Sequence, residues 1–191
     1  MIGGGLAGPE AALTAARLGC EVDLFEMRAV VDGKPRLTPA HQTTDFGELV
    51  CSNSLKSESE WTAPWLLKQE MRRGGSALLR IADACAVPAG HALAVDRVEF
   101  SRRISEAIEA EPRIRVIREE VTRLDDALLQ SEDGAKHQNQ DGTKCQNEDG
   151  AKHQDESGTK CTIVATGPLT SDALSKEIER LTGAGHLAFY D

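Results

Sequence analysis

The six residues from Gly3 to Gly8, "GGGLAG", constrain this chain more tightly than any others. Gly3, Gly5 and Gly8 stand at the spacing G-x-G-x-x-G. In that pattern the first glycine allows a tight turn, the second lets backbone amides approach a diphosphate, and the third lets a helix pack closely on a sheet. Pro9 follows in what would be the first turn of a helix, where its missing N–H costs nothing. Small residues Ala11, Ala12, Ala15 and Ala16 continue the run, and Gly19 supplies a stop. "EVDLF" at 21–25 then alternates like a strand and ends at Glu26. A carboxylate at about this distance beyond the first glycine suits a ribose hydroxyl. A glycine cluster also makes ordinary turns, and Glu26 also fits a solvated strand end. Joined together, turn, helix, strand and acid favour a dinucleotide site at Gly3, Gly4, Gly5, Gly8 and Glu26.

Beyond Glu26 the pattern loosens. Residues 28–60 are polar, carry Pro35 and Pro39, and are expected to form one long loop. Helical spacing returns over Trp61–Met71, breaks at Gly74–Gly75 and resumes over Ser76–Cys85. "VPAG" at 87–90 reads as a turn, and "DRVE" at Asp96–Glu99 as a capping box. Phe100, Ile104 and Ile108 mark one helix face that ends before Pro112. "RIRVI" at 113–117 alternates like a strand, and "CTIVATG" at 161–167 reads as a buried strand ending in a tight turn. Thr170 or Ser171 then caps a helix bearing Leu174, Ile178 and Leu181, closed by Gly183. The Ala165-Thr166-Gly167 turn is a second candidate contact with a dinucleotide, although any strand exit looks similar.

Residues 133–160 are different in kind. "DGAKHQNQ", "DGTKCQNE" and "DGAKHQDE" repeat every eight residues and offer no large apolar side chain, so this segment cannot build a core. It is expected to be an exposed extension or a disordered insertion. Its His137, Cys145 and His153, with Cys161, alternate at a spacing unlike the close pairs of a zinc site, so no metal is expected. With the repeat set aside, the order of elements predicts an α/β fold wound around a nucleotide, with residues 28–110 inserted as loop and helices.

Charge and cysteine count bound the function. A formal net charge of −9 argues against wholesale electrostatic binding of nucleic acid, while leaving room for RNA held by a local patch. Five cysteines at no framework spacing favour a reducing cytoplasm. No apolar run approaches the roughly 18 residues of a membrane span. Cys51 lies in "ELVCSNS", between an apolar pair and a polar run, where it suits a buried structural thiol or a nucleophile beside a cofactor equally well. His41 fits a surface loop residue or an acid–base group. Asp96 and Arg97 could position a substrate, but the capping role already accounts for Asp96.

"TPAH" before "ELVCSNSL", "LLKQEMRR" and "VPAGHALAVDR" after it, and "VATGPLTS" near the end resemble the TrmFO family. These are folate- and FAD-dependent tRNA (uracil-5-)-methyltransferases related to the GidA flavoproteins. The resemblance covers nearly the whole chain apart from the repeat. It implies a Rossmann-like FAD-binding fold, with Gly3, Gly4, Gly5, Gly8, Glu26 and Ala165–Gly167 at the coenzyme. It implies transfer of a one-carbon unit from 5,10-methylenetetrahydrofolate, through reduced FAD, to C5 of uracil-54 in the tRNA T-loop, with NAD(P)H as reductant. Cys51 matches a functional cysteine of the family near the flavin. Two alternatives stay open: a GidA-like enzyme of the tRNA wobble uridine, and a non-catalytic fragment. Members of the family begin with a hydrophobic strand before the glycine turn and extend well past "AFYD". The present sequence is therefore expected to be an N-terminal portion in which the loss of that strand removes ladder bonds and core burial.

Overall fold

A computed structural model describes residues 1–125 and 160–183. Its centre is parallel. Strand β1 (Val22–Phe25) pairs in register with β7 (Ile114–Ile117), Val22 opposite Ile114 and Phe25 opposite Ile117. On the other side of β1 lie residues 1–3, and beyond them residues 163–165, joined by parallel bridges from Ile2 to Phe25 and from Ile2 to Val164. The ladder bonds expected to be lost are in fact supplied by these first residues. Gly3 N donates to Phe25 O at 2.9 Å and Phe25 N to Met1 O at 2.9 Å; on the far side Ile2 N donates to Ile163 O at 2.9 Å and Ala165 N to Ile2 O at 2.8 Å. Spatially the order is β7, β1, residues 1–3, residues 163–165.

Helices cover both faces, as a parallel sheet requires. Val22, Leu24 and Ile114 point to one side, where they join Ala12 and Ala16 of α1 (Ala7–Arg17), Leu78, Leu79 and Ala82 of α3 (Ala77–Ala84), and Phe100, Ile104 and Ile108 of α4 (Arg97–Glu109). Ile2 and Phe25 point to the other and meet Val121 and Leu174, the latter from α5 (Asp172–Thr182). The alternation of strand residues thus feeds two separate cores. The alanines of α1 let that helix sit close to the sheet: Ala12 is fully buried.

Between β1 and β7 the chain makes a hairpin, β2 (Ala29–Val31) and β3 (Lys34–Arg36), then β4 (Ser54–Ser57), α2 (Ala63–Arg73), α3, β5 (Ala86–Val87), β6 (Ala92–Val95) and α4. Strands β4, β6 and β5 form a small antiparallel sheet in that order. This corrects the single long loop expected over 28–60. The hairpin turns at Asp32 and Gly33, both at positive φ (51° and 74°). Asp-Gly is the dipeptide that favours two-residue hairpin turns, because both positions tolerate the left-handed region. The capping box is also half right: Asp96 Oδ1 accepts from Val98 N and Glu99 N, each at 3.1 Å, but Glu99 turns outward to Arg102 and Arg103. Asp96 N instead donates to Cys85 O at 2.9 Å.

A third correction concerns 161–167. Cys161 is exposed, and Ile163 and Val164 keep 43% and 39% of their surface, so the segment is a partly open edge and not a buried strand. Among the described residues it pairs only on the side of Ile2. Ser171 does cap α5, accepting from Leu174 N, and Gly183 closes it at φ 70°. The remainder of the eight-residue repeat, with His137, Cys145 and His153, lies outside the described residues. No cluster of metal-binding side chains occurs among the described ones, and no described helix is long and apolar enough to cross a membrane.

Candidate functional site

The four parallel segments end on the same side, and the chain leaving each of them borders one cleft of about 1310 Å³. Gly3–Ala7 leave the first, Glu26–Arg28 leave β1, Glu119–Val121 leave β7, and Ala165–Leu169 leave the fourth. The carboxyl edge of an open parallel sheet is where such folds bind ligands, since the turns there diverge to opposite faces. The opposite wall brings in Thr38, His41 and residues 48–52 from the chain before β4, with Leu67, Lys68 and Met71 of α2. The cleft exceeds the usual 300–1,000 Å³ of a small-molecule site and has room for an elongated ligand.

Each glycine of the turn has its own reason. Gly3 sits at φ 110°, and a Cβ there would lie 2.6 Å from Ala165 O. At Gly4 a Cβ would run into the Glu26 carboxylate and the Phe46 ring, and at Gly8 into the Gly3 carbonyl oxygen. Gly5 differs, since a Cβ there would meet no protein atom within 4 Å, although Gly5 borders the cleft. What the absent side chain keeps clear at Gly5 is the cleft itself. Leu6, the N-cap of α1, offers the helix no side-chain acceptor. Among the described residues the amides of Gly5, Leu6 and Ala7 find no protein acceptor either. Unpaired amides at a helix start carry about half a positive charge and suit an anion.

Glu26 and Arg28 hold this turn from below. Glu26 Oε2 accepts from Gly4 N at 2.8 Å, and Oε1 accepts from Arg28 N at 2.8 Å and Arg28 Nε at 3.0 Å. Arg28 Nη2 reaches Glu26 Oε2 at 3.2 Å and Gly4 O at 3.3 Å. Both side chains are buried, at 6% and 2% exposure. Burial would push the Glu26 carboxyl up, but the Arg28 bonds and charge, with the Gly4 amide, hold it below the ordinary carboxylate value. Nη1 of Arg28 extends to Thr43 O at 3.4 Å and Glu48 Oε2 at 3.3 Å.

The segment before β4 is fixed by the same network. Glu48 accepts from Gln42 N at 2.8 Å, Thr43 N at 3.1 Å and Thr43 Oγ1 at 3.0 Å; burial opposes its ionisation, and these bonds hold its carboxyl below the ordinary value. Phe46 is fully buried, with Arg118 stacked 4.2 Å from its ring centre, and Gly47 N donates to Gly4 O at 2.9 Å. His41 lines the cleft with Nδ1 2.6 Å from Thr38 Oγ1; partial burial and the Arg28 charge push its pKa down, favouring the neutral ring. Lys68 is spent on structure, donating to the carbonyls of Leu55, Ser57 and Pro64 at 2.8–3.1 Å.

The structure therefore gathers Gly3, Gly4, Gly5, Glu26, Cys51, Ala165, Thr166 and Gly167 around one space, with His41. Gly8 stands behind the turn as a packing residue, not on the cleft wall. Cys51 is exposed on the wall, unlike buried Cys85, whose thiol burial pushes up. Asp96 and Arg97 lie elsewhere, on a shallow hollow with Ser52 and Asn53. Arg28, Phe46, Gly47 and Glu48 are the residues that reading the sequence missed. Glu26 and Arg28 flank a bend at Met27, and their opposite charges two residues apart are the signal available for that pair.

Two comparisons bear on this arrangement. The sequence profile described as glucose inhibited division protein A matches residues 1–191, the whole chain. Among curated proteins, a Koribacter versatilis protein named methylenetetrahydrofolate--tRNA-(uracil-5-)-methyltransferase TrmFO is 54% identical over 193 residues. Proteins of the same name from Solibacter usitatus and Persephonella marina are 50% and 47% identical. Each alignment takes in 100% of this chain and 35–36% of the relative, so the chain spans about a third of the length of the proteins it resembles.

Proposed function

The chain belongs to the glucose inhibited division protein A family, and from that premise we propose that its cleft is an FAD site on a Rossmann-like sheet. The observation that carries this reading is the convergence of four strand exits on one cleft, with open Gly5 and three unpaired amides at its edge. Residues 1–191 then form part of one FAD-binding domain, with 28–110 inserted between its second and third strands.

The residues present fit the coenzyme's diphosphate. The amides of Gly5, Leu6 and Ala7 and the start of α1 would bind it, and Gly3 and Gly8 would keep the turn tight. Ala165, Thr166 and Gly167 would border the same ligand on its other side. Glu26 stands where a ribose hydroxyl would be taken. Its four in-plane acceptor positions are already filled, so the hydroxyl would replace the longest bond, that from Arg28 Nη2 at 3.2 Å. When bound, the flavin would supply the reducing chemistry and relay the one-carbon unit. Cys51, exposed on the opposite wall, would present a thiol to that chemistry. Uracil C5 is a poor nucleophile until a group adds at C6, which gives a thiolate work to do.

For the whole polypeptide we propose methylation of uracil-54 in the tRNA T-loop, with 5,10-methylenetetrahydrofolate as carbon donor and NAD(P)H as reductant, in the cytoplasm. The names of the relatives support this over a wobble-uridine enzyme. The test is methyl transfer to T-loop uridine by the full-length protein. Dependence on methylenetetrahydrofolate is expected; activity driven by S-adenosylmethionine, or modification confined to the wobble position, would reject the proposal.

A further inference from the structure

We propose that Arg28 is the positioning residue of the nucleotide site: it sets the plane of the Gly4–Gly5 peptide and the orientation of Glu26, and so aims the amides of the glycine turn. The inference rests on the dinucleotide reading given above. Its evidence is the set of acceptors that one buried guanidinium connects. Nε and Nη2 bind the two oxygens of Glu26, Nη2 also reaches the Gly4 carbonyl, and Nη1 bridges to Thr43 O and Glu48.

Gly4 is thereby held on both sides. Its N–H, part of the Gly3–Gly4 peptide, is fixed by Glu26, and its carbonyl, part of the Gly4–Gly5 peptide, by Arg28 and by Gly47 N. The Gly5 amide lies in that second peptide plane and is the first of the unpaired donors at the cleft. Rotation of the Gly4–Gly5 peptide would swing that donor away, so its aim depends on the clamp on that carbonyl. Arg28 is also the link between the turn and the segment carrying His41 and Glu48. Lysine could keep the charge but has no planar fork, and cannot serve two carboxylate oxygens and two carbonyls together.

The test is ADP affinity, by calorimetry, for the full chain and the variants Arg28→Lys, Arg28→Met, Glu26→Gln and Glu26→Gln/Arg28→Met, with folding checked by circular dichroism. Arg28→Met and Glu26→Gln are each expected to weaken ADP about tenfold in folded protein. Arg28→Lys is expected to recover stability more fully than affinity. In the double variant the loss should stay within about threefold of the worse single one, because Arg28 acts through Glu26 and the glycine turn that Glu26 also holds. That variant removes the buried Glu26–Arg28 pair together and leaves Glu48 with its Gln42 and Thr43 donors, so it carries the test where Arg28→Met does not fold. Multiplying losses, or ADP binding within twofold of the parent in folded Arg28 variants, would overturn the proposal while leaving the dinucleotide reading intact. An unmodified chain that binds no ADP would overturn that reading, and this inference with it.

Discussion

Replacing Gly5 with alanine separates what the glycine turn does for the fold from what it does for a ligand. The residue is absent from the positive-φ positions, and an added Cβ meets no protein atom within 4 Å. The native backbone therefore accepts the methyl without strain, and the unfolded chain loses freedom. A compatible Gly→Ala change stabilises by about 0.4–1 kcal/mol, or roughly 1–4 °C in Tm for a chain of this size. The methyl instead occupies the cleft, between the unpaired amides and whatever they bind. A hydrogen bond to a charged group contributes about 1.5–3 kcal/mol, so losing one raises Kd at least about tenfold. Thermal unfolding by circular dichroism and ADP titration of the same sample read the two effects. Stability lowered by more than about 1 kcal/mol, or ADP bound within twofold of the parent, would refute the assignment of Gly5 to a ligand.

Gly8→Ala should behave in the opposite way. Its Cβ would collide with the Gly3 carbonyl oxygen, backbone against backbone, and urea unfolding should show a loss of about 1–3 kcal/mol. Glu10 on α1 accepts from Ser76 Oγ, Ala77 N and Leu78 N at 2.7–3.1 Å and so caps the start of α3. Glu10→Ala should cost about 1–2 kcal/mol by the same assay, and a change under about 0.3 kcal/mol would remove that capping role. Glu26 and Glu48 are both held below the ordinary carboxylate value of 4.5 in the folded chain. Folding therefore binds fewer protons than the unfolded state, and their contribution is full above that value and lost as pH falls through the folded pKa. The urea midpoint should fall gently below about pH 6.5, where His41 takes up its proton more readily in the unfolded chain, and more steeply below about 4.5, the steep limb being smaller in Glu26→Gln; equal steep declines in both proteins would contradict this.

The parts of the fold legible in the sequence are those whose determinants are local. The alanine-rich run fixes α1, and Phe100, Ile104 and Ile108 repeat with the helical period and are all fully or nearly fully buried in α4. The alternation in "VDLF" and "IRVI" places both strands correctly, and the two pair side by side. Residues 28–60 are harder because their strands are short and largely exposed. Strands β2 and β3 are three residues each, and five of their six residues are exposed, so no alternation of burial marks them. The Asp32-Gly33 turn was the available sign.

At the site, the glycines and Glu26 are recognisable from spacing, and the structure does bring Gly3, Gly4, Gly5 and Glu26 to one cleft with Cys51 and Ala165–Gly167. The partners that orient them are not. Arg28 and Glu48 are twenty residues apart, and Phe46 N bonds Ser105 Oγ across fifty-nine. Contacts of that range depend on how loops fold back, which no short pattern encodes. Gly8 carries the opposite lesson: it satisfies the motif, yet its purpose here is to admit the Gly3 carbonyl, one step removed from any ligand.

Titration of FAD with the purified chain, followed by flavin fluorescence, tests the central claim most directly. Saturable binding of one FAD per chain, displaced by ADP and weakened at least about tenfold in Gly5→Ala, is the predicted result. FAD that does not bind saturably, or that binds equally well to Gly5→Ala, would contradict the assignment of this cleft to the coenzyme.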